Sequence, residues 1–140
     1  MNAKYAMNRT LRRAVALVVV MHLAANTGHA IAHRSLGVTA PMLNTIFIIL
    51  VIFTAPVIAA LLWTRHQRLG AWLLLGSMSA AALFGGYFHY VKISPDQVDH
   101  LPAGDLQPLF RLTATLLLSL ECIGAALGIV AIAWDRKNGS

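Results

Sequence analysis

Four polar residues in the N-terminal third fall on a single helical line: His22, Asn26, His29 and His33. Their spacings of four, three and four keep them on one narrow stripe at 100° per residue. His29-x-x-x-His33 presents two imidazoles one turn apart on one face, a chelating arrangement for a transition metal that a third nitrogen or a carboxylate completes. His89 supplies the third imidazole, and His100, with Asp96 and Asp99, closes the group from above. Imidazole with carboxylate suits zinc, copper or iron. The lone Cys122 rules out both a thiolate cage and an intrachain disulfide. Haem b is the alternative cofactor, held by His29 and His89, with Gly28, Gly85 and Gly86 letting a flat macrocycle approach the backbone. The bland reading of the same histidines is interhelical hydrogen bonding and solvation at helix ends.

Glu121 and His22 form a second constellation. Glu121 is the only acid inside any of the apolar spans below, and a carboxylate at that depth must be paired, hydrated or protonated. Such a pair can relay protons, bind a quinone headgroup or hold a cation, or it can simply clasp two helices. Asn26 can bridge the two constellations and Asn44 can reach the histidines, although both also serve as plain packing donors. Gly124-x-x-x-Gly128, with Ala81-x-x-x-Gly85 as its expected partner, points to close packing of the third and fourth spans.

These residues sit in a chain of 140 amino acids that is 58% hydrophobic and 11% charged, with mean hydropathy +0.68. A soluble domain carries about 25% charged residues. Four apolar stretches are long enough to cross a hydrocarbon layer about 30 Å thick. They cover about 14–32, 42–63, 70–90 and 106–134, with an outer loop at 91–105. The expected fold is all-α: one transmembrane domain over 1–140, an integral membrane four-helix bundle running up-down-up-down. Thr39 is the expected N-cap of the second span, with Pro41 in its first turn. Pro56 should kink that span. Ser94-Pro95-Asp96 could start a short surface helix, and Asp105 could cap the fourth span.

Charge placement gives an orientation. Lys4, Arg9, Arg12, Arg13, Arg65, Arg68, Arg136 and Lys137 fall on one side. Arg34, Lys92 and Arg111 fall on the other, with Asp96, Asp99 and Asp105. The positive-inside rule puts both termini in the cytoplasm of a cell with an inner membrane. Trp63, Trp72 and Trp134 then lie near inner span ends, as an aromatic belt would. At 1.5 Å per residue, His22 is near mid-membrane and His29 about 10 Å further out. His33 and His89 are close to the outer boundary, so His29, His33 and His89 share one depth. A cleavable signal peptide is the rival reading of the N-terminus, with Ala30-Ile31-Ala32 as its cut site and three spans left behind. N-terminal sequencing of the mature protein decides between the two.

His66, in the basic turn, reads as surface. Walker, dinucleotide-glycine and nucleophile-elbow sequences are all lacking. The formal charge of +6 is accounted for by orientation, which leaves nucleic-acid binding without support. The expectation is a small polytopic inner-membrane protein binding a transition metal or haem through an outer-leaflet histidine cluster, in redox or proton-linked work. Two other classes stand beside it. One is a non-enzymatic accessory or assembly subunit, meeting a membrane-protein partner or its own copies in the lipid bilayer. The other is a small carrier working through Glu121.

Overall fold

The computed structural model describes the backbone of residues 3–138 and the side chains of residues 9–137; the side chain of Lys4 thus lies outside the described residues. Four long helices make up the described chain: α1 (Ala3–Ser35), α2 (Met42–Leu62), α3 (Gln67–Val91) and α4 (Gln107–Asn138), with no strand among the described residues. Each contains a segment long and apolar enough to cross a membrane.

Neighbouring helices are antiparallel. His22 meets Glu121 while His29 meets Thr113, so α1 and α4 run in opposite directions. Gly124 faces Met78 and Gly128 faces Ala71 and Leu75, which sets α3 against α4 in the same way. Phe47 stacks on Phe84, and Gly70 abuts the backbone of Ala59 and Trp63, pairing α2 with α3. Contact between α1 and α2 is concentrated along Ala55–Leu62, so the two helices part toward Met42. The core comprises Val15, Ala59, Leu74, Met78, Leu117 and Leu120, joined near the opposite end by a second cluster around Phe110. Small residues allow the α3–α4 backbones to come close enough for dispersion contacts along their length.

Local chemistry explains the helix ends. α1 stops in a Schellman motif: Gly37 takes φ 67°, Val38 N–H donates to the His33 carbonyl at 3.0 Å, and Gly37 N–H donates to Arg34 at 3.3 Å. Within α2, Ile48–Thr54 winds as a wide π-turn immediately before Pro56. Proline lacks an N–H and crowds the carbonyl four residues back. The wider winding takes up that defect, and Thr54 Oγ1 donates to the Ile49 carbonyl at 2.7 Å. A second wide turn, Tyr87–Val91, ends α3.

Several expectations need correcting. Pro41, at φ −56° and ψ 153°, takes the N-cap position of α2 in place of Thr39, because its fixed φ suits the residue just outside the first turn. Residues 94–100 form two separate turns and not a helix, since their backbone groups are drawn outward. Val98 N–H donates to His89, the Asp96 carbonyl accepts from the His89 ring, and Arg111 donates to the Val98 carbonyl. α4 starts two residues after Asp105, where the Gln107 side chain donates to the Pro102 carbonyl at 2.7 Å. Trp63 is only 3% exposed and belongs to the core, leaving Trp72 as the outward-facing member of the expected belt. The partner of Gly124 and Gly128 is the Ala71–Leu75–Met78 face, lower on α3 than Ala81 and Gly85; Gly85 faces Glu121 instead.

Candidate metal centre

His29 and His33 come from α1 and His89 from the wide turn of α3, and α4 supplies the floor on which all three rest. The Phe110 ring, fully buried, lies 4.5, 4.8 and 5.4 Å from the ring centres of His29, His33 and His89. Side-chain nitrogens of the three residues all lie within 4.8 Å of one another. His29 Nε2 is 3.1 Å from His89 Nε2 and 3.2 Å from His33 Nε2.

Tautomers follow from what the other ring nitrogens touch. Thr113 Oγ1 donates its proton to the Leu109 carbonyl at 2.7 Å, so it accepts from His29 Nδ1–H at 2.9 Å. His33 Nδ1–H donates to the Val38 carbonyl at 3.3 Å, the residue fixed by the Schellman motif. His89 Nδ1–H donates to the Asp96 carbonyl at 3.0 Å. Each neutral ring carries one proton, and each has an acceptor at Nδ1. With the protons at Nδ1 the three Nε2 lone pairs face one another, an arrangement that repels unless a positive charge sits among them; at His33 the Asp96 carboxylate, 3.2 Å from Nε2, competes for the proton.

Asp96 brings a negative charge to the rim. Its Oδ1 is 3.2 Å from His33 Nε2 and 3.2 Å from His89 Nδ1, and this buried oxygen has no aligned hydrogen-bond donor. His100 is not brought to the group. It is exposed, as is Asp99, and its backbone N–H closes a turn onto Gln97. His66 is exposed in the α2–α3 turn.

The second constellation lies deeper. His22 is fully buried and Glu121 is 3% exposed, with Nε2 to Oε1 at 3.3 Å. Asn26 donates to the His22 carbonyl at 3.0 Å and packs its amide over the imidazole. A cavity of about 630 Å³ joins the two constellations. It reaches from Arg34, Lys92 and Asp96 at the mouth, past His29, His33 and His89, to Asn26 and Glu121. Asn44 lines its α2 side.

Sequence reasoning missed Thr113, Phe110 and the Val38 carbonyl. Thr113 and Phe110 stand three residues apart on α4, a spacing that sets both on one face, but neither type signals a ligand-supporting role by itself. Comparison with protein-family models, with curated proteins and with solved structures gives no match, so the site is interpreted from its own geometry.

Proposed function

We propose that this chain is an integral membrane protein binding a transition metal ion through the Nε2 atoms of His29, His33 and His89. The observation that carries the reading is the pairing of convergent Nε2 atoms with an acceptor at every Nδ1. Metal-bound histidines donate their other ring N–H to a carbonyl, carboxylate or similar group, which fixes the tautomer and aims the lone pair. A tetrahedral ion with metal–nitrogen bonds of 2.0–2.1 Å sets its ligands about 3.3 Å apart. The observed 3.1 and 3.2 Å about His29 need only a small outward shift, while the wider edge of the triangle, within 4.8 Å, has to close on the ion. The Asp96 carboxylate, 3.2 Å from His33 and His89, would supply charge compensation. Zinc, copper and iron all accept this donor set.

Haem b fits less well. Two axial histidines stand about 4 Å apart at Nε2, twice a metal–nitrogen bond of about 2 Å, with a macrocycle between them. Here His29 and His89 are 3.1 Å apart, and His33 and Phe110 crowd both rings.

The chain is read as an up-down-up-down bundle in a cell inner membrane, both termini cytoplasmic, with the metal centre in the outer leaflet. The basic residues at the α1 start, the α2–α3 turn and the α4 end support that orientation. A second reading, an accessory subunit whose polar residues only lock helices together, draws support from the His22–Glu121 contact between α1 and α4. Metal content separates the two. Protein purified without chelator should carry close to one ion per chain, lost in His29→Ala and in His89→Ala. A wild-type protein that holds no metal, shows no Soret band and takes up none of the three ions on titration overturns the reading.

A further inference from the structure

The cavity extends well beyond what an ion needs. Its volume of about 630 Å³ is that of a small-molecule site. Polar groups stand at both ends and apolar side chains at the waist. The outer end has the three imidazoles and the inner end has Asn26 and Glu121, while Phe53, Phe84, Phe88, Leu117 and Leu118 line the space between. Phe84 and Phe88 lie with ring centres 4.6 Å apart, giving one wall a continuous aromatic surface.

This distribution selects among lipid-soluble ligands. A fatty acid or phospholipid carries its polar atoms at one end only and would leave Asn26 and the Glu121 oxygen not paired with His22 without a ligand partner. A para-quinone or its quinol carries an oxygen at each end of a flat ring. From His29 to Asn26 the α1 backbone rises only about 4.5 Å, and a Cβ at Gly85 would lie 3.8 Å from both Glu121 Oε2 and the His89 ring, so the two polar ends are near enough for one flat ring to bridge. The chain of such a molecule also has a way out. α1 and α2 part above Ala55–Leu62, and the exposed Ala30 and Thr45 border the resulting cleft.

We propose that the cavity binds a lipid-soluble para-quinone or quinol, one oxygen at the histidine centre and the other at Glu121 and Asn26, its chain leaving between α1 and α2. The inference builds on the metal reading for its outer end only, because Glu121 and Asn26 engage the ring whether or not an ion is bound. Titration of the purified full chain with a decyl-substituted benzoquinone, followed calorimetrically in detergent, tests it on metal-loaded and chelator-stripped samples. The expected result is saturable binding of one molecule per chain, weakened at least tenfold in Glu121→Leu and in Ile48→Trp. Ile48 lines the cavity from α2 and is half-buried, so its enlargement blocks the space while leaving every polar group in place. That variant decides the matter should Glu121→Leu fail to fold. Metal content on the same samples keeps the two ideas apart: metal bound with no saturable quinone binding overturns this inference alone. Equal binding by wild type and Ile48→Trp, or a co-purifying phospholipid that quinone does not displace, overturns it too.

Discussion

Thr113→Val removes one oxygen from the support of the metal centre and keeps the side chain's shape. His29 is 7% exposed, and its Nδ1–H has Thr113 Oγ1 as its acceptor at 2.9 Å. With valine in place, the imidazole can bury an unpaired N–H, at about 1–3 kcal/mol. The alternative is to move the proton to Nε2, where it points at His33 and His89 and takes the ion's place. Both routes weaken binding by a similar amount. Loss of such an outer partner typically lowers metal affinity 10–100-fold, or about 1.4–2.8 kcal/mol at 1.4 kcal/mol per decade. A competition titration against a chromophoric zinc chelator, in detergent, measures the change directly. Thr113→Ser keeps the oxygen and should bind nearly as wild type, while circular dichroism of both variants should show an unchanged helical fold. Wild-type affinity in a folded Thr113→Val would mean that the Nδ1 contacts do not set the tautomers, and the argument for converging lone pairs would fail.

Acidification from neutral to about pH 5 should release the ion, because protons compete for the same Nε2 lone pairs and affinity falls as pH falls; metal retained on a desalting column at each pH reads the effect. Two glycines on α3 should respond to alanine in opposite directions in a thermal melt. A Cβ at Gly70 would lie 2.7 Å from the Ala59 carbonyl oxygen and 2.9 Å from the Trp63 nitrogen, so Gly70→Ala should lose about 1–3 kcal/mol. Gly76 has nothing within 4 Å, and Gly76→Ala should gain up to about 1 kcal/mol from helix propensity.

Depth was readable from the chain because helical rise is fixed by the backbone. Counting residues from each span's end was enough to put His29, His33 and His89 at one level and His22 opposite Glu121. Rotation about each helix axis was readable only on α1, where four polar residues mark a face. On α4 the supporting residues are a phenylalanine and a threonine, which read as ordinary span residues until a histidine is seen beside them. The cavity was invisible for a related reason: it results from the divergence of α1 and α2, and no residue type encodes an angle between helices. His100 shows the opposite failure. Its spacing of four from Asp96 suggests a shared face only if the loop is helical, and the loop spends its backbone groups on α3 and α4 instead.

The wide turn at Tyr87–Val91 shows how much of the centre depends on winding. A π-turn holds about one residue more than an α-turn, and at 100° per residue that shifts where the chain leaves α3 by more than a quarter of a revolution. Lys92 N–H reaches back five residues to the Tyr87 carbonyl at 2.8 Å, and the following loop folds over His89 so that Val98 N–H bonds its carbonyl and the Asp96 carbonyl meets its ring. Regular α winding would send 92–98 off in another direction and take away both the Nδ1 acceptor of His89 and the carboxylate beside His33. The same loop is anchored on α4 by Arg111, one residue from Phe110. α1, α3, the loop and α4 thus surround the centre, and on the side toward α2 lies the cavity. An ion held that way would border the cavity, which is the condition for a bound metal to meet a ligand that enters it.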